Sequence, residues 1–205
     1  MNSIIKSLSI VLTSCILSGC GSTHPFIADG VQNYNKTPII EKYSHSLDSN
    51  LSIFPDEIKA IDGEATYHAY ISDEFFNDNP EVFLQCKYSK ENYDKEVDRI
   101  KSIEMTITFR DQSHTNYVKY DEEMYAFPAY IAIDGFSSKY EYALLNEEEN
   151  MITYMYLSYP GNKQFTKYEE YIKKDKSSYN HAGLDCFTIY AHSFDGGRSY
   201  VEFDD

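Results

Sequence analysis

The tightest gathering of side chains that could do chemistry is His181, Asp185, Cys186 and His192. A zinc site needs thiolate, imidazole or carboxylate donors at short, fixed spacings. The gaps around Asp185-Cys186 match no standard pairing, and the chain has no HExxH or CxxC motif. The set therefore reads as a turn histidine, a core thiol and a strand histidine, and no metal is expected. A cysteine nucleophile with a histidine base has its ingredients in Cys86 and Cys186 beside His68, His114, His181 and His192. A reactive thiol wants an electropositive, partly exposed setting, and Asp185 in an acidic chain works against one at Cys186. No Gly-x-Ser-x-Gly elbow or glycine-rich phosphate loop occurs.

Carboxylates are plentiful. Asp121-Glu122-Glu123 and Glu147-Glu148-Glu149 offer pairs of the kind that cleave glycosides, but both fall in predicted turns, where charge is ordinarily just solvated. No calcium-loop pattern of alternating oxygen ligands appears. The sequence thus assigns no catalytic residue and no cofactor. Its unusual feature is 20 tyrosines without a tryptophan. Tyr130, Tyr140, Tyr142, Tyr154, Tyr156 and Tyr159 fall on adjacent predicted strands. On one solvent face they would form an amphipathic platform for a glycan or an envelope protein. The plainer reading, which carries more weight, is that tyrosine suits half-buried strand positions. The six tyrosines remain the candidate ligand or partner surface.

Residues 1–19 carry the three parts of an export signal: positive Lys6, an apolar run from Leu8 to Leu17, and small Ser18-Gly19. The apolar run is shorter than the ~20 residues that span a bilayer core. Leu17-Ser18-Gly19-Cys20 resembles the lipobox of bacterial lipoproteins. That resemblance implies a diacylglyceryl thioether on Cys20, cleavage before it, and an extracytoplasmic domain anchored to the cell membrane. Two acyl chains on one residue give the stable hold that one chain does not.

Loss of residues 1–19 removes Lys6 and no acid, leaving 17 basic against 33 acidic side chains, a net −16. Such a balance argues against nucleic acid, whose binding needs clustered Lys and Arg, and against lying flat on an anionic lipid surface. With Cys15 in the signal and Cys20 lipidated, Cys86 and Cys186 are the candidates for a disulfide in an oxidising compartment. Their apolar strand-like surroundings favour two buried free thiols instead.

Elements able to position these groups begin after a lipidated cysteine, tether and irregular lead-in over residues 20–50, and a single domain is expected over 51–205. Tyr67–Ile71 and Val82–Tyr88 alternate and predict an antiparallel pair. Ser89 is an N-cap candidate, with Glu91 in the first turn and Tyr93, Val97 and Ile100 at helical spacing, which predicts a helix over 90–102. Short runs at 105–110, 116–120, 127–133, 140–145, 152–159 and 187–191 read as further strands, and 167–176 as a short helix or loop. The expected fold is α+β: an antiparallel meander of about eight short strands with one amphipathic helix packed on a face. Ile53-Phe54-Pro55, the capped helix after Tyr88, and Tyr140-Glu141-Tyr142-Ala143-Leu144-Leu145 loosely resemble uncharacterised lipoproteins of low-GC Gram-positive bacteria. The leading expectation for function is a non-enzymatic binding or interaction module at the cell envelope. The alternatives are a structural envelope component and a wall or peptide hydrolase whose site forms only in the fold. An exposed tyrosine patch favours the first, a sheet covered on both faces the second, and converging carboxylates or a Cys–His contact the third.

Overall fold

The computed structural model describes residues 26–36, 39–41, 49–60, 64–71, 80–109, 112–123, 125–134, 139–158, 162–172, 177–181 and 184–188, with the side chains of 105–117, 134, 162, 165 and 177–188 outside the description. The strands are β1 (Phe26–Asp29), β2 (Ala65–Ile71), β3 (Glu81–Lys87), β4 (Glu104–Phe109), β5 (Gln112–Tyr117), β6 (Lys119–Asp121), β7 (Ala129–Asp134), β8 (Lys139–Asn146), β9 (Met151–Ser158), β10 (Ser177–His181) and β11 (Leu184–Thr188). The helices are α1 (Lys90–Lys101) and the short α2 (Asn162–Lys167), with 3-10 turns at Val31–Asn33 and Glu169–Tyr171. The class is α+β, dominated by one antiparallel sheet.

Seven strands form that sheet in the order β1-β2-β3-β9-β8-β7-β6. Two meanders, β1 to β3 and β6 to β9, are joined where β3 pairs β9 with Val82 opposite Tyr156. β4–β5 and β10–β11 are separate hairpins, so the expected single meander is divided. β2 and β3 form the antiparallel pair that the alternation of both runs predicts, with Tyr67 opposite Leu84. The folded part begins earlier than residue 51. Phe26–Asp29 pairs with Ile71–His68 as an edge strand, and Ile39 is buried. Four residues between Pro25 and Gly30 are too few to show a period, yet one ladder suffices to hold an edge.

α1 starts where the cap places it. Ser89 is extended, its hydroxyl accepts from the Asn92 N–H, and Glu91 lies in the first turn. Lys90–Asp94 and Glu91–Lys95 are exposed i,i+4 pairs, screened by solvent, that add little to the helix. The turn between β8 and β9 closes through Asn150, at φ 52, a left-handed value asparagine tolerates.

Alternation along the central strands feeds two apolar clusters, one on each side of the sheet. Val82, Leu84 and Cys86 of β3, Ala143 and Leu145 of β8, and Ile152, Tyr154 and Tyr156 of β9 enter the first, together with Phe54, Tyr93 and Ile100. Phe83, Tyr140, Tyr142, Leu144, Met155 and Leu157 enter the second, with Tyr125, Tyr168 and Ile172. Strands loaded on both faces read as near-continuous apolar runs, which is how Tyr140–Leu145 and Ile152–Leu157 appear in the chain.

Candidate functional site

Helical spacing puts Asn92, Lys95, Glu96 and Arg99 along one face of α1, where they form a wall of a cleft of about 580 Å³. The facing wall is Pro55, Asp56, Glu57 and Lys59, with Tyr88 between them. The facing segment is fixed from several directions. Tyr34 donates to the Pro55 carbonyl, and Lys36 donates to the Phe54 carbonyl and to Asp56, each at 3.0 Å. The Lys36 ammonium beside Asp56 holds that carboxyl below its usual range.

A chain of directed hydrogen bonds runs beneath the cleft. Arg99 grips Glu96 with Nε at 3.0 Å and Nη2 at 2.7 Å, and Nη2 also donates to the Ile53 carbonyl at 2.7 Å. Glu96 accepts the Tyr154 hydroxyl at 2.7 Å. Tyr154 has one proton to give, so in its 3.0 Å contact with Tyr88 it accepts and Tyr88 donates. Burial pushes both phenols far above their ordinary range, so they remain neutral donors at any working pH. Burial likewise pushes the Cys86 thiol beneath them up to about 12. The network fixes Arg99 and Glu96 at the cleft wall, with the acid paired and no activated nucleophile next to it.

A second polar group lies on the other side of the sheet. Glu81, 6% exposed, accepts from His68 Nε2 at 3.0 Å, Lys167 Nζ at 2.6 Å and the Tyr168 hydroxyl at 3.1 Å. His68 Nδ1 lies 2.5 Å from Asp29 Oδ1. The Asp29–His68–Glu81 line has the outline of a proton relay. However, both ring nitrogens are already engaged by carboxylates of the fold, Asp29 at Nδ1 and Glu81 at Nε2. It acts as a clasp joining β1, β2, β3 and α2.

The third polar feature is Glu141, fully buried inside the apolar run of β8. It accepts from the Ile53 N–H at 2.7 Å and from the Ser49 hydroxyl. Ser49 Oγ in turn accepts from the Leu51 N–H at 2.9 Å, beside Leu51 itself at φ 48. A branched residue held in the left-handed region costs of order 1–3 kcal/mol, and this staple supplies the restraint. Burial pushes the Glu141 carboxyl above its usual range despite these donors.

The tyrosines expected on a partner surface are elsewhere. Tyr130 is 7% exposed, and Tyr140, Tyr142, Tyr154 and Tyr156 are at 0%. They also divide between the two faces, Tyr130, Tyr154 and Tyr156 in the first cluster and Tyr140 and Tyr142 in the second. They form core rather than a platform, because the rest of the chain covers both sides of their strands. Tyr159 and Cys20 lie outside the described residues. Cys86 is a buried free thiol. Cys186 sits on β11 opposite Tyr179, with its side chain outside the description, as is that of His181 at the turn end of β10 in the same hairpin. Among the described residues no three His, Cys or carboxylate side chains converge as a metal set. Glu147, Glu148 and Glu149 sit exposed in the β8–β9 turn. The sequence reading passed over Glu141, although a lone acid inside Tyr140–Leu145 was its visible signal. Comparison with protein-family models, curated proteins and solved structures finds no match.

Proposed function

We propose that this chain is an extracytoplasmic lipoprotein, exported by residues 1–19, held to the cell membrane by a diacylglyceryl group on Cys20, and carrying a non-enzymatic envelope domain. The single observation that carries the reading is Leu17-Ser18-Gly19-Cys20 at the end of a charged-then-apolar leader. A sheet that begins at Phe26 supports it, because a short polar linker between anchor and fold is what such a tether needs. α1 with the 49–60 segment covers one sheet face, and 125–127 with 168–172 covers the other. That double cover favours a rigid structural component of the envelope over a protein that reads ligands with its sheet.

A second reading, capture of a small polar ligand, is favoured by the cleft on α1. There the buried Tyr88–Tyr154–Glu96 chain holds Arg99 in one orientation. Growth of the producing cell with an alkyne-bearing fatty acid, followed by fractionation, tests the anchor. Label on the wild-type band in the membrane fraction and its loss in Cys20→Ser supports the reading, whereas an unlabelled, released wild type removes it.

A further inference from the structure

The polar side chains lining the α1 cleft divide into those the fold has spent and those it has not. Asp56 is taken by Lys36 at 3.0 Å, and Lys95 by Glu91 at 2.5 Å. Glu96 is held by Arg99 and by the Tyr154 hydroxyl. Every proton on Arg99 Nε and Nη2 goes to Glu96 or to the Ile53 carbonyl. Arg99 Nη1, by contrast, has no acceptor among the described residues. The Glu57 carboxylate, the Lys59 ammonium and the Asn92 carboxamide also line the cleft, and none has a partner among the described residues.

Both walls carry these unspent groups on restrained backbone. Ile58, between Glu57 and Lys59, packs against the first apolar cluster, while Tyr34 and Lys36 hold Pro55 and Asp56 just before it. Asn92 and Arg99 lie on one face of α1, with Lys95 and Glu96 between them. Glu96 already balances Arg99, so the free charges are one anion, Glu57, and one cation, Lys59. A lone anion brought here meets Glu57, and a lone cation meets Lys59. An uncharged ligand strips water from both and pairs neither. A ligand with an ammonium and a carboxylate answers both charges. The Asn92 carboxamide donates and accepts, so it serves either end. The volume of about 580 Å³ is that of a small-molecule site.

We propose that the α1 cleft binds a small zwitterion with an ammonium and a carboxylate, as a free amino acid or a short peptide. Lys59 and Arg99 Nη1 take the carboxylate, and Glu57 takes the ammonium. The inference rests on the small-ligand reading of this cleft given above.

The full chain, isotope-labelled and held in detergent, reports binding through the side-chain nuclear magnetic resonance signals of Asn92 and Arg99. The titrants are alanine and trialanine, each also with its amine acetylated or its carboxylate amidated, and glucose as an uncharged polar probe. The expected result is saturable shifts with alanine or trialanine, the tighter of the two naming the source. Either cap should weaken binding about tenfold, and glucose should bind no better than the capped forms. In Glu57→Gln the acetyl cap should cost much less than in wild type, and in Lys59→Gln the amide cap should. Caps that cost as much in these variants as in wild type would overturn the roles of Glu57 and Lys59. Capped forms or glucose binding as tightly as the zwitterions would overturn the ligand class and leave the cleft a binding site. Signals unmoved by the whole series would overturn the class and the small-ligand reading together.

Discussion

Tyr154 donates to Glu96 across 2.7 Å, tying β9, the middle strand of seven, to α1. The contact joins residues 58 positions apart and hands the phenol of Tyr88 an acceptor in turn. Tyr67 is the contrasting case, a buried ring edge-on to Tyr34 at 5.1 Å whose hydroxyl has no hydrogen-bond partner. Tyr154→Phe is expected to destabilise by about 1–2 kcal/mol, because Glu96 and Tyr88 lose a partner. Tyr67→Phe is expected to be neutral or stabilising by up to about 1 kcal/mol, since it removes an unsatisfied buried hydroxyl. Urea unfolding of the two variants beside wild type checks the difference in sign.

Glu141 makes a prediction about pH. Its carboxyl is raised by burial in the folded chain from an ordinary value of 4.5. Between that value and the raised one, the folded state keeps a proton that the unfolded state releases. Its contribution to stability is therefore full below the ordinary value and is lost as pH rises through the raised one. Glu141→Gln keeps an acceptor for the Ile53 N–H and does not titrate. The stability difference between variant and wild type should shift in favour of the variant as pH rises from 4 toward neutrality, measured by unfolding midpoints at each pH. A difference that stays flat would contradict the assignment.

Glu81 collects three donors at one oxygen, so its loss is expected to hurt far more than loss of any donor. Glu81→Ala should cost about 3 kcal/mol by stranding the partners of a buried carboxylate. Lys167 is 40% exposed on its side chain, so Lys167→Ala should cost less than about 1 kcal/mol. Thermal unfolding of the two variants checks the ordering.

Cys86 is expected to be inert in the folded protein, with its thiol pushed up to about 12 by burial. Iodoacetamide at neutral pH should leave it unmodified, and the same reagent in urea should modify it fully, read by peptide mass. Modification of the native protein at Cys86 would contradict the buried position.

The parts of this fold that local chemistry decides were readable in the chain. Ser89, Glu91 and the Tyr93–Val97–Ile100 stripe announce α1, and alternation announces the β2–β3 pair. β1 was not readable, because four residues carry no period and the edge depends on β2 lying beside it. The full burial of the tyrosines was unreadable for a related reason. A run as nearly continuous as Tyr140–Leu145, broken only by Glu141, signals a strand apolar on both faces, but what covers each face comes from residues far along the chain. Tyr125 and Tyr168 cover one side, and Phe54, 87 residues before Glu141, lies in the cluster on the other. The pairings that build the candidate site are of the same kind: Ile53 with Glu141, Ile53 with Arg99, and Tyr154 with Glu96. Spacing along the sequence does not encode such contacts, whereas a single acid set in an apolar run does hint at one.

The most direct test of the lipoprotein reading is the intact mass of protein extracted from membranes of the producing cell, wild type beside Cys20→Ala. The account predicts a wild-type mass equal to the chain from Cys20 plus a diacylglyceryl group, with that addition and membrane association both lost in Cys20→Ala. A wild-type chain without lipid, released freely from the cell, would contradict it.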